Sequence, residues 1–139
     1  MTDVLKKVAY TTEATAKGGR TGHVTSADGV LDLDLDRPNP QNPTPNPETL
    51  FAAGYAACFQ GALENRAKTK DVDTSESTVT AKVSLGDTDD GGVGLAVELA
   101  VHIPGIELDQ ARELVELAHQ FCPYSKATRN NIEVTLTVE

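Results

Sequence analysis

The sequence is short of the features that mark several large classes of protein. No apolar run approaches the roughly 18 residues that a membrane helix needs, and no basic segment followed by an apolar one opens the chain, so the expected compartment is the cytoplasm. Lys and Arg form no cluster and the formal charge is −9. Affinity for DNA or RNA comes largely from neutralised phosphates, so neither a nucleic acid nor a membrane is an expected partner. No phosphate-binding glycine fingerprint follows a strand, no internal repeat is present, and neither Cys-x-x-Cys nor His-x-x-x-His occurs. Neither a cofactor nor a metal is expected.

Cysteine is scarce too: Cys58 and Cys122 are the only two. A chain of 139 residues is expected to be one domain, residues 1–139, with a core that folds without staples. In a reducing compartment a lasting structural bridge is uncommon, which turns attention to redox or metal chemistry. Two thiols can be a disulfide staple, half of a metal site, or an attacking and a resolving pair. His119 precedes Cys122 by three residues and would share its helix face, a zinc half-site with Cys58 if a fourth ligand were at hand. His23 and His102 fall in strand patterns. The acidic runs Asp32–Asp36 and Asp87–Asp90 read as a solvated strand face and a polar turn rather than calcium loops.

What is present is a clear order of elements. Alternation over Val4–Tyr10, Gly22–Thr25 and Val30–Leu35, broken by glycine turns, predicts a meander of short antiparallel strands. Prolines between Arg37 and Pro47 forbid helix interior and sheet ladder alike, so that stretch is a loop. A helix is expected directly after it: Asn46 suits the N-cap, Pro47 the first helical position, and Glu48 the positive end of the dipole. From Leu50 to Leu63 it is apolar or small nearly all round, which predicts burial on more than one side and packing against a second chain. Strands at Ser77–Leu85 and Val93–Ile103, a helix from about Asp109 ended by Pro123, and a last strand over Ile132–Val138 complete an α+β order. Cys122 falls on the buried stripe in the last turn of the second helix.

A cysteine attacks as thiolate, and apolar burial alone raises its pKa, so Cys58 needs a cation nearby. The candidate is Arg20, on the turn Gly18-Gly19-Arg20-Thr21-Gly22, since guanidinium stays charged when partly buried and can bind a peroxide oxygen. Glu48 could hold its fork by a bidentate bond; a plain surface ion pair is the alternative. Ten residues along a straight helix rise roughly 15 Å, so Glu48 and Cys58 cannot touch within one continuous helix. Either the helix is broken near its start, or Glu48 and Arg20 reach Cys58 from a second subunit.

Five stretches carry a resemblance. They are Gly18-Gly19-Arg20-Thr21-Gly22-His23-Val24, Asp28–Leu33, Asn46–Phe59 around Cys58, Gly94–Val97, and Ala118–Arg129 around Cys122. In that order and over nearly the whole length, the chain resembles the organic hydroperoxide resistance (Ohr) proteins of the Ohr/OsmC family. The resemblance implies an OsmC-like fold, with antiparallel sheets wrapped around two central helices in an intertwined homodimer. It also implies a thiol peroxidase that reduces organic hydroperoxides, fatty-acid ones included, to alcohols. Carried over by position, Cys58 is the peroxidatic and Cys122 the resolving cysteine, Arg20 stabilises the thiolate and engages the peroxide, and Glu48 is its carboxylate partner. A dihydrolipoyl group on a lipoylated protein is the implied reductant of the Cys58–Cys122 disulfide. An OsmC-type peroxidase and a non-catalytic disulfide sensor are the competing readings.

Overall fold

The computed structural model describes residues 2–139, which divide after Pro47 into two compact units. In the N-terminal unit, β1 (Ala14–Lys17), β2 (His23–Ser26) and β3 (Asp32–Asp34) form an antiparallel sheet in the order β1-β2-β3. A single 3-10 turn, Gly19–Thr21, joins the first two. Gly22 closes it: a Cβ there would lie 1.9 Å from the Lys17 carbonyl oxygen, so no side chain fits without moving backbone. The second connection is held by Asp28, whose carboxylate accepts from the Val30 N–H at 3.0 Å and the Ser26 hydroxyl at 2.6 Å. The strand expected over Val4–Tyr10 does not form. Val4, Leu5, Val8 and Tyr10 are all exposed, and an alternating pattern without a ladder partner or a packed face gives the backbone no reason to stay extended.

The C-terminal unit holds the core. Its sheet runs β4 (Thr78–Asp87), β5 (Val93–His102), β6 (Glu133–Val138), flanked in sequence by α1 (Pro47–Lys68), α2 (Leu108–Phe121) and the short α3 (Pro123–Thr128). Strict alternation in β5 puts Val97, Leu99 and Val101 on one buried face. Register then lines up partners from both neighbours: Val79, Ala81 and Val83 of β4 oppose Val101, Leu99 and Val97, and Val134, Leu136 and Val138 of β6 oppose Val97, Leu99 and Val101. Over this face lie Tyr55, Phe59, Leu63 and Ala67 of α1, spaced four apart, and Ala111, Leu114, Val115 and Ala118 of α2.

Two expectations need amendment. The sheets are not wholly antiparallel, because β5 and β6 pair parallel; the α2–α3 connection is a helical crossover, which brings the chain back in the same direction. Pro123 ends one helix and opens another: it takes the first position of α3, where its missing N–H is no loss. Within this chain α1 buries one stripe, while Ala53, Ala57 and Gly61 on its other side are exposed. The α+β class stands, and the first helix begins at Pro47 with Glu48 in its first turn, as its proline and acidic residue predict.

Candidate active site

The two cysteines, 64 residues apart in sequence, face each other in the C-terminal unit with their Sγ atoms 3.5 Å apart, both as free thiols. Cys58 sits in the middle of α1, one residue before the fully buried Phe59, and is partly exposed. Cys122 is the hinge residue between α2 and α3, closing the first with its N–H on the Ala118 carbonyl and capping the second; it is wholly buried. A disulfide needs the sulfurs at about 2.05 Å, so closure asks for roughly 1.5 Å of approach and no rearrangement of the fold.

Successive backbone amides of the first turn of α3 meet the two sulfurs. The Ser125 N–H donates to Cys122 Sγ at 3.5 Å, and the Tyr124 N–H faces Cys58 Sγ closely enough to favour its thiolate. Burial pushes the Cys58 thiol above its ordinary pKa; the Tyr124 N–H opposes that rise, and the neighbouring Cys122 adds to it. The other two predicted site residues lie on their own elements: Arg20 on the Gly19–Thr21 turn of the N-terminal unit, Glu48 in the first turn of α1. Since α1 runs uninterrupted from Pro47 to Lys68, the broken-helix arrangement for Glu48 and Cys58 does not apply within this chain.

Around Cys122 lies a set of polar side chains that sequence reasoning did not assemble. The Tyr55 hydroxyl is 2.8 Å from Ser125 Oγ and 3.1 Å from Thr128 Oγ1, and His119 Nδ1 is 2.8 Å from the same Ser125 Oγ. His119 therefore engages a hydroxyl through Nδ1, and among the described residues no group of three or more His, Cys, Asp or Glu is arranged to hold a metal ion. The one signal available was that Tyr55 and Ser125 stand three residues from a cysteine each, Tyr55 before Cys58 and Ser125 after Cys122.

Beside these residues an apolar cleft of about 290 Å³ is lined by Phe51, Leu95, Tyr124, Ala127 and Ile132, among others. Of the apolar residues near the thiols in sequence, Phe51 lines it, Phe59 is core, and Phe121 is exposed beneath the Arg66 guanidinium at 4.4 Å. The Tyr124 ring rests on Gly54, where a Cβ would come within 3.2 Å of it.

Residues 40–137 match the family described as OsmC-like protein. The organic hydroperoxide resistance protein OhrB of Bacillus subtilis (strain 168) is 49% identical over 134 residues, covering 94% of this chain and 98% of that protein. The organic hydroperoxide resistance protein of Xanthomonas axonopodis pv. citri is 46% identical over 138 residues, with 96% of each covered. The crystal structure of the Bacillus subtilis OhrB superposes with a TM-score of 0.90 at 48% identity, over 95% of this chain and all of that one. An organic hydroperoxide resistance protein from Elizabethkingia anophelis gives 0.89 at 51% identity, over 97% and 99%. With the likeness running through both cysteine segments and the whole α+β framework, the chain belongs to the OsmC-like family, on its organic hydroperoxide resistance (Ohr) branch.

Proposed function

We propose that this protein is a cysteine-based peroxidase that reduces organic hydroperoxides, fatty-acid ones included, to alcohols. The observation that carries the reading is the 3.5 Å approach of two free thiols drawn from distant parts of the chain, each sulfur met by a backbone N–H. The Cys58 thiolate attacks one peroxide oxygen and the O–O bond breaks; the alkoxide leaves and is protonated to the alcohol, and Cys58 becomes a sulfenic acid. The Cys122 sulfur then displaces that hydroxyl, which departs with a proton as water, and a Cys58–Cys122 disulfide forms. Two electrons from a dithiol, a dihydrolipoyl group on a lipoylated protein, restore both thiols.

Burial holds the Cys58 proton in place, so attack near neutral pH requires a fixed positive charge, the role assigned to the Arg20 guanidinium with Glu48 as its bidentate partner. An unbroken α1 separates Glu48 from Cys58 by roughly 15 Å of rise, which favours a homodimer in which Glu48 and Arg20 serve the partner subunit's thiols. The exposed Ala53, Ala57 and Gly61 give α1 a face on which a second backbone can come close. In this reading both units act as one domain, residues 1–139, the apolar cleft receives the alkyl chain, and the enzyme works in the cytoplasm.

The test is consumption of cumene hydroperoxide against hydrogen peroxide, with dihydrolipoamide and thioredoxin supplied separately. The organic substrate and the lipoyl reductant are expected to be faster. Cys58→Ser should abolish turnover, and Cys122→Ser should trap sulfenic acid at Cys58 after one equivalent of peroxide. A Cys58→Ser variant as active as the native protein rejects the peroxidase. One oxidation without turnover in the presence of either dithiol would make the protein a disulfide sensor instead.

A further inference from the structure

The buried polar cluster beside Cys122 has more hydrogen bonds than hydroxyl protons. Its four contacts are Tyr55 Oη with Ser125 Oγ, Tyr55 Oη with Thr128 Oγ1, Thr128 Oγ1 with the Ser125 carbonyl oxygen at 3.2 Å, and His119 Nδ1 with Ser125 Oγ. Tyr55, Ser125 and Thr128 supply one proton each. Thr128 donates to the carbonyl, so it can only accept from Tyr55; Tyr55 must then accept from Ser125. That leaves Ser125 Oγ without a proton for the histidine, and the fourth bond is made only if His119 donates from Nδ1. The ring is thus in its Nδ1–H form. Burial, helped by the Arg129 charge, lowers the His119 pKa, which keeps Nε2 unprotonated at neutral pH.

The cluster runs beside the sulfur pair. Tyr55 and Cys58 are three apart on α1, so they share a helix face; Cys122 and Ser125 are likewise three apart across the start of α3. Ser125 belongs to both contacts, giving its N–H to Cys122 Sγ and its hydroxyl to Tyr55, and it is fully buried, as is Tyr55. The Arg129 guanidinium ties the same corner again through the His119 carbonyl at 2.5 Å. We propose that Tyr55, Ser125 and His119 form a clamp that positions Cys122, holding the α2–α3 corner against α1 at the spacing from which the second sulfur can close on the first. These are positioning residues. None of the contacts above joins their side chains directly to Cys58, and their effect is on disulfide formation rather than on the attack by Cys58.

The consequence for turnover rests on the peroxidase reading; the geometry of the pair does not. Two measurements keep them apart. The first uses no peroxide: the Cys58–Cys122 disulfide is equilibrated with reduced and oxidised glutathione. Tyr55→Phe, which removes one oxygen and keeps the ring, and His119→Leu, at a half-exposed position, should each lower the equilibrium constant for the disulfide by on the order of 10-fold, less than the roughly 100-fold that a misplacement of about 1 Å costs an intramolecular reaction. His119→Asn places an amide N–H where Nδ1–H stood and should recover most of the loss; His119→Gln, whose amide reaches the Nε2 position, should not. The second is a single turnover with cumene hydroperoxide. Sulfenic acid should form at Cys58 at the native rate in every variant, while its conversion to disulfide slows by the same factor and further oxidation to sulfinic acid rises. An unchanged glutathione equilibrium in both Tyr55→Phe and His119→Leu, or equal rescue by Asn and Gln, overturns the clamp. Absence of both sulfenic acid in Cys122→Ser and disulfide in the native protein after one equivalent of peroxide overturns the peroxidase reading and leaves the glutathione result to decide the clamp.

Discussion

The two units of this chain are built on different terms. In the C-terminal unit helices and sheet share one apolar cluster, with Tyr55, Phe59, Leu63, Leu99 and Val101 fully buried. Among the described residues of the N-terminal unit only Ser26 and Leu35 are buried, and β1 is exposed along its whole length. Three short strands without a packed face gain little from the burial that normally offsets ordering the backbone. The contrast teaches that one unit supplies stability and the thiols, while the other contributes through what its turns and surfaces present.

The largest effect that would break this comparison lies in the core. Leu63→Ala is expected to destabilise the protein by about 2–5 kcal/mol, the range for a buried leucine that leaves a cavity. Leu31→Ala, at an exposed position of the N-terminal unit, should stay within about 0.5 kcal/mol in dilute solution. Chemical denaturation of both variants checks the pair, and equal losses would mean the N-terminal unit has a core of its own. Repeating the series at rising protein concentration sharpens the point: if a second copy covers this sheet, the Leu31→Ala penalty grows with concentration.

Next in size is Arg20→Met, which tests whether the N-terminal unit contributes charge. An opposite charge close to an acid lowers its pKa by about 1–3 units, so removing one should cut the Cys58 thiolate present at pH 7 by roughly 10- to 1000-fold. The pH profile of iodoacetamide alkylation, read in a Cys122→Ser background, should move upward by that amount while the unfolding midpoint hardly changes. A profile that stays in place would deny Arg20 its role. Gly22→Ala reaches the same loop through its backbone. Its Cβ would overlap the Lys17 carbonyl, so the turn must shift; peroxidase activity should fall several-fold with far-UV dichroism and core stability retained.

The residues that were legible in the sequence are those whose signal is local. Pro47 and Glu48 mark the start of α1, the alternation of Val97, Leu99 and Val101 marks a half-buried strand, and Ala111, Leu114, Val115 and Ala118 mark the inner stripe of α2. The thiol pair was legible because two cysteines leave one pairing to consider. The rest depends on position in space. Pro123 reads as a stop from one side and as a first helical residue from the other, so α3 stayed hidden. The parallel pairing of β6 follows from the direction in which a helical crossover returns, not from residues within β6. Nothing along the chain joins Tyr55 to Ser125 across 70 residues, since a buried hydroxyl has no periodicity to betray it.

The smallest expected effect concerns what holds the exposed sheet together. His23 on β2 has Nδ1 2.7 Å from an Asp34 carboxylate oxygen and Nε2 bonded to Asp32, both from the paired strand β3. Carboxylates only accept, so both contacts are hydrogen bonds only when both ring nitrogens carry protons, that is, when the ring is the imidazolium. The bond to Asp34 first, and that to Asp32 second, accordingly raise the His23 pKa above the ordinary 6.5. A cation favoured in the folded state adds stability that is complete below the unfolded value and is lost as pH rises through the higher folded one. Hydrogen exchange of the β2 and β3 amides should therefore be slower in the native protein than in His23→Gln at pH 6, with the difference closing toward pH 8. Because the site is solvent-exposed the difference should be small and shrink with added salt, and the C-terminal unit should not register it. A gap between native and His23→Gln that stays constant over that range would mean the two strands are joined by their backbone ladder alone.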